Sequence, residues 1–190
     1  MWSRCLWVRW SVSVRRLRCY LPSVWRGGVL WLLCVALGAC ANRPETGEEQ
    51  QARIDRLARA LQVLSPTAPP ARSRQVAVAA VQEAAALRAE YQVRLTPWLH
   101  NVEVNSGTRS RGHCYHYARD LRSRLQGVVS PYWQLYLLQA RAGTVLEHNA
   151  IGIASSHADW QQSLVLDAWR DAGVLFFAPV GQDSYPWRLR

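Results

Sequence analysis

Residues 111–118 read Arg-Gly-His-Cys-Tyr-His-Tyr-Ala and place a thiol where a helix begins. Unsatisfied backbone N–H groups and the positive end of the helix dipole at such a position favour thiolate over thiol. Gly112, two residues earlier, lets the chain turn sharply and lets a substrate approach the backbone closely. An attacking thiolate also needs a base and a group that orients the base. Glu147-His148-Asn149-Ala150-Ile151-Gly152-Ile153 carries an imidazole in one strand-like run, and Leu164-Val165-Leu166-Asp167-Ala168-Trp169 carries a carboxylate in the next. On neighbouring antiparallel strands His148 and Asp167 can share a face. Asp167 then accepts from one ring nitrogen and leaves the other to Cys114. An aspartate between Leu166 and Ala168 needs such a partner once buried. Trp98, Asn105 and the Cys114 backbone N–H are the candidate oxyanion donors. The aromatics of the sheet half suit a sheet core or an aromatic-lined groove near the thiol, with Trp169 the candidate for the groove.

Cysteine after a glycine at a helix start, then histidine, then aspartate on successive strands, resembles the transglutaminase-like superfamily, which shares its core with papain-type thiol hydrolases. The resemblance covers about Gly107 to Val180. It implies Cys114 as nucleophile with Gly112 in a Gly-x-Cys motif, His148 as base, Asp167 as orienter, and no cofactor. The chain departs from that pattern at Asn149-Ala150, where the family often has an aromatic after the histidine. It also has no clear glutamine or tryptophan upstream of Cys114 to complete an oxyanion hole. Bland readings compete. Cys114 between aromatic neighbours suits a core position, and Asp167 has Arg170 as an alternative partner. A triad without activity would leave a binding platform. His113, Cys114 and His116, with His148, are zinc-type ligands, but residues 113 and 114 point apart on a helix, so no metal is expected. There is no Cys-x-x-Cys-His for haem. All 23 basic residues are arginine, which excludes a phosphate loop with its lysine and a lysine Schiff base.

The elements that must hold these residues are legible from periodicity and punctuation. Ile54, Leu57, Leu61 and Leu64 predict an amphipathic helix from Glu48 to Leu64, ended by Ser65-Pro66. A second helix is expected from Ser73 to Val93, stopping before Thr96-Pro97. Asn101 to Arg111 reads as loop, and Gly112 to about Leu125 as a third helix. Strands are expected at Tyr132 to Ala140, Val145 to Ala154, Gln161 to Trp169 and Val174 to Val180, with short turns between. Helices first and consecutive strands afterwards predict an α+β fold: N-terminal helices, then a cysteine-bearing helix packed on an antiparallel sheet of about four strands.

Residues 1–39 hold six arginines and no acid, and the apolar run Val29 to Leu37 is about half of what crosses a bilayer. A basic start, a short apolar middle and small residues before a cysteine form an export signal. Leu37-Gly38-Ala39-Cys40 resembles the lipobox, which implies cleavage before Cys40 and lipid on its sulfur. The expected organisation is a signal peptide at 1–39, a flexible tether at 40–47, a helical hairpin at 48–98 and the transglutaminase-like α+β domain at 99–190. The expected location is the bacterial envelope, by a lipid anchor, and Ala41 after the cysteine favours the outer membrane facing the periplasm. Removing six arginines leaves 17 basic against 13 acidic residues, so the net charge falls from +10 to +4 and no basic stripe points to nucleic acid. Cys114 is then the one thiol beyond the anchor, in a compartment where cysteines usually pair. The expected function is a membrane-tethered thiol hydrolase or acyltransferase acting on peptide, protein or peptidoglycan amides. The alternative is an inactive relative that binds a partner.

Overall fold

The computed structural model describes residues 45–94 and 96–190; the expected signal peptide, Cys40 and the start of the expected tether lie outside them. Helix α1, Gly47–Leu64, begins with a reciprocal cap. Glu49 N–H donates to Thr46 Oγ1 at 3.2 Å, and Thr46 N–H donates to Glu49 Oε2 at 2.8 Å. Ile54, Leu57 and Leu61 face inward at helical spacing. Helix α2, Pro70–Glu90, buries Val76, Ala77, Ala80, Val81, Ala84 and Leu87. Its alanines let it lie closely between α1 on one side and α4, Cys114–Val129, on the other. Between them comes α3, Pro97–Asn105, an element the sequence reading assigned largely to loop. Pro97 opens it, where a missing N–H costs nothing.

The sheet has five antiparallel strands in the order β4-β3-β2-β1-β5. They are β1 Trp133–Ala140, β2 His148–Ser155, β3 Leu164–Asp171, β4 Val174–Pro179 and β5 Arg188–Leu189. The short β5 pairs Leu138↔Leu189 and Gln139↔Arg188 and adds an edge strand to the four expected. The fold is α+β, with α4 packed on β1, β2 and β3. Strand alternation divides the sheet's residues. Leu135, Ile151, Ile153, Leu164 and Leu166 join the helices in one core that also holds α1 and α2. Leu138, Ala140, Ala150 and Val165 point the other way and are covered by Trp187, with Trp160, Val180 and Tyr185 around it. The helical hairpin and the α+β half therefore share a core. Among the described residues no helix is long and apolar enough to cross a membrane.

Candidate active site

Cys114 is the first residue of α4 and belongs to its inward stripe with Tyr117, Ala118, Leu121 and Leu125. The loop before it is pinned from α3. His100, fully buried, bonds the Arg111 carbonyl oxygen through Nε2 at 2.9 Å and sits 3.1 Å from Glu103 Oε2 through Nδ1. Gly112 lies directly over that ring at φ 128°; a Cβ there would fall 2.2 Å from His100 Nε2. The glycine is thus required by close approach to α3 as well as by its backbone angle. His113 Nδ1 reaches Asn101 Oδ1 at 3.1 Å, a second tie to α3. His116 Nδ1 accepts from the N–H groups of Gly112 and His113, at 3.2 and 3.3 Å. Burial first, then the Arg111 guanidinium beside His116 and a neighbouring imidazole for each (His113 for His116, His100 for His113), holds both imidazoles below the usual histidine range. A neutral His116 is what an acceptor for two amides has to be.

His148 opens β2, so Glu147 and Asn149 on either side of it face the start of α4. The Cys114 S–H points to the Glu147 carbonyl oxygen at 3.9 Å, and Asn149 Nδ2 donates to the Cys114 sulfur at 3.8 Å. The register Gly152↔Val165 puts residues 148, 150 and 152 on the face that also carries Val165 and Asp167. His148 and Asp167 meet there: Nε2 lies 2.6 Å from Asp167 Oδ2. Cys114 lies near enough to act on the charge of the ring, and its sulfur bonds the residues on either side of His148. Burial opposes charge on the imidazole, yet the bonds to Asp167 and Cys114 outweigh it and raise the ring to about 9. Asp167 is 1 % exposed. Burial alone would raise it, but His148 and Arg170 hold its carboxyl below the ordinary range.

Asp167 sits where β3 shifts register against β4. Its Oδ1 accepts from the backbone N–H groups of Trp169 and Arg170 at 3.0 and 3.1 Å, and its Oδ2 from Arg170 Nε at 3.1 Å. Arg170 then grips Asp183 with both terminal nitrogens, at 3.0 and 2.7 Å. Asp183 Oδ2 also accepts from Trp187 Nε1 at 2.8 Å. Trp187 and Tyr185 return to the imidazole, their ring centres 5.5 and 4.7 Å from that of His148. A run of side chains from Asp167 through Arg170 and Asp183 thus ends by boxing in the base. Trp169 closes another side, 5.0 Å from His148, and Trp98 packs edge-on against it at 5.6 Å.

No family model, curated protein or solved structure matches the chain.

The geometry alone therefore carries the chemistry. Cys114, His148 and Asp167 converge, with Gly112 and Trp169 around them. Trp98 is the outer wall, 56 % exposed and touching the site through Trp169. Asn105 ends α3, exposed, with no bond to the triad. Two buried polar atoms beside the triad have no partner: the Trp169 indole N–H and Asn149 Oδ1. Among the described residues no three metal-ligating side chains form a cluster. The residues that sequence reasoning missed are Asn149, Glu147, His100 and Asp183. For Asn149 a signal existed, since an amide beside the histidine in an otherwise apolar strand needs partners as Asp167 does. Arg170, which in the sequence is a rival to His148 for Asp167, shares the carboxylate with it.

Proposed function

We propose that this chain is a thiol hydrolase or acyltransferase of the transglutaminase-like kind, tethered to a bacterial envelope membrane by lipid on Cys40. The observation that carries the reading is the 2.6 Å bond from His148 Nε2 to Asp167, with the Cys114 sulfur held by the residues on either side of that histidine. His148 takes the proton from the Cys114 S–H when the ring is neutral, the form that gains ground as the pH climbs towards 9, and the thiolate attacks a substrate carbonyl carbon. The charge that develops on oxygen meets donors at the helix start, with the Trp169 indole N–H as the side-chain candidate. The tetrahedral adduct collapses as the C–N bond breaks. The imidazolium returns its proton to the leaving nitrogen, and a thioester remains on Cys114. Water or an amine, deprotonated by His148, then attacks the thioester and releases the thiol. Substrates in this reading are peptide, protein or peptidoglycan amides; no metal or nucleic acid takes part.

Iodoacetamide labelling, read by mass spectrometry on the Cys114 peptide, tests it. At pH 7 His148→Ala should slow labelling by about ten-fold or more. Equal rates would remove the base from the mechanism. For the anchor, Cys40→Ala should move the protein from the membrane to the soluble fraction.

One observation favours the non-catalytic alternative. Trp98, Leu99 and Val102 of α3 are exposed together beside a site that is itself nearly closed. A binding module would tolerate Cys114→Ala and lose its phenotype when these three become polar.

A further inference from the structure

Asn149 takes no part in the proton transfers above, yet it is 2 % exposed and touches the nucleophile. Its two amide hydrogens are both engaged, one with Glu147 Oε1 at 3.2 Å and one with the Cys114 sulfur at 3.8 Å. Glu147 is itself fixed. The Gly143 N–H donates to its Oε2 at 2.9 Å, and that bond, with those from Asn149 and Gln139, holds the carboxyl below the ordinary range. An ionised carboxylate only accepts hydrogen bonds, so the NH2 side of Asn149 has to face Glu147. The orientation of the amide is therefore set by the turn between β1 and β2. The consequence falls on the other atom. Asn149 Oδ1 is turned away from Glu147, buried in the residue that touches the nucleophile, and has no partner. Buried acceptors are almost always satisfied.

We infer that Asn149 Oδ1 receives an N–H group of the substrate, making Asn149 a specificity-determining residue for amides that carry a hydrogen on nitrogen. The inference rests on the thiol reading above. A substrate N–H satisfies the open acceptor. A group of the same shape without that hydrogen leaves it buried and unpaired, and a site built in this way discriminates more sharply than an apolar pocket does. Glu147 acts through Asn149 as a positioning residue.

The test uses three alkylating reagents with one carbonyl and one leaving group: iodoacetamide, 2-iodo-N-methylacetamide and 2-iodo-N,N-dimethylacetamide. Each rate is read on the Cys114 peptide of the full chain and divided by the same reagent's rate with glutathione. The first two reagents should outpace the dimethyl compound by about ten-fold beyond glutathione, the size expected when one buried acceptor is left unpaired. Asn149→Ala should bring the ratio near one. An unfolded chain reacts like glutathione and itself gives a ratio of one, so each variant is labelled at low temperature, where circular dichroism shows it folded. A wild-type ratio near one overturns the inference and leaves the thiol reading standing. So does a preference that survives in Asn149→Ala, because it then comes from bulk. A native Cys114 inert to all three reagents, but labelled after denaturation, overturns both.

Discussion

Asp167 gives one oxygen to His148 and Arg170 and the other to two backbone amides, all from a position almost without solvent. Removing that carboxylate strands a buried imidazolium and takes one of the three carboxylate bonds of the Arg170 guanidinium. Asp167→Ala should therefore destabilise the fold by about 3–5 kcal/mol, measured by chemical denaturation. A loss below about 1 kcal/mol would mean that the pair contributes little to the native state. The convergence of His148 and Asp167 was legible because polar groups in apolar strands must find each other. The rivalry with Arg170 dissolves on inspection of the carboxylate, whose two oxygens have room for several donors. Asn149 stayed hidden for a simple reason. Alternation tells which face a side chain takes, and nothing in it tells that the helix start bearing Cys114 lies against that face.

Helix α3 is the element that ties the site together from outside. It buries His100 alone, leaves Trp98, Leu99 and Val102 exposed, and still holds the loop before Cys114 through His100 and Asn101. A helix without an inward apolar stripe has no periodic signal, which is why the segment read as loop. The other helices and the four long strands announced themselves, within a few residues, by their buried stripes and turn residues. The two-residue β5 is too short to show any alternation. Gly112 tests the tie. Gly112→Ala should cost about 2–3 kcal/mol through overpacking and backbone strain, and should slow Cys114 labelling at pH 7. Adding His100→Ala removes the clash but not the strained angle, so the double variant should regain part of the thermal stability. No regain would show that the ring is not the obstacle.

For the molecule as a whole, the sequence pointed correctly to helices followed by a meandering antiparallel sheet, because short turns leave few other topologies. That the hairpin shares one core with the sheet half was not visible, since periodicity marks a buried face without naming what covers it. The pH dependence of stability belongs at this scale. His148 is raised to about 9 from an ordinary value near 6.5. Its favourable charge state is fully present below about pH 6.5 and is lost as the pH climbs towards 9, so stability should fall across that window by on the order of 1–3 kcal/mol. Thermal melts at pH 6 and pH 9.5 should show this, with a flatter profile for His148→Gln; identical profiles would argue against the ion pair. One consequence remains of drawing a thiol from α4, its base from β2 and an orienting carboxylate from β3. In a disordered chain Cys114 is a thiol like any other, and its special chemistry exists only while three distant stretches are assembled. Its labelling rate, followed along a denaturant series, is therefore a built-in gauge of how much of the population has reached the native arrangement.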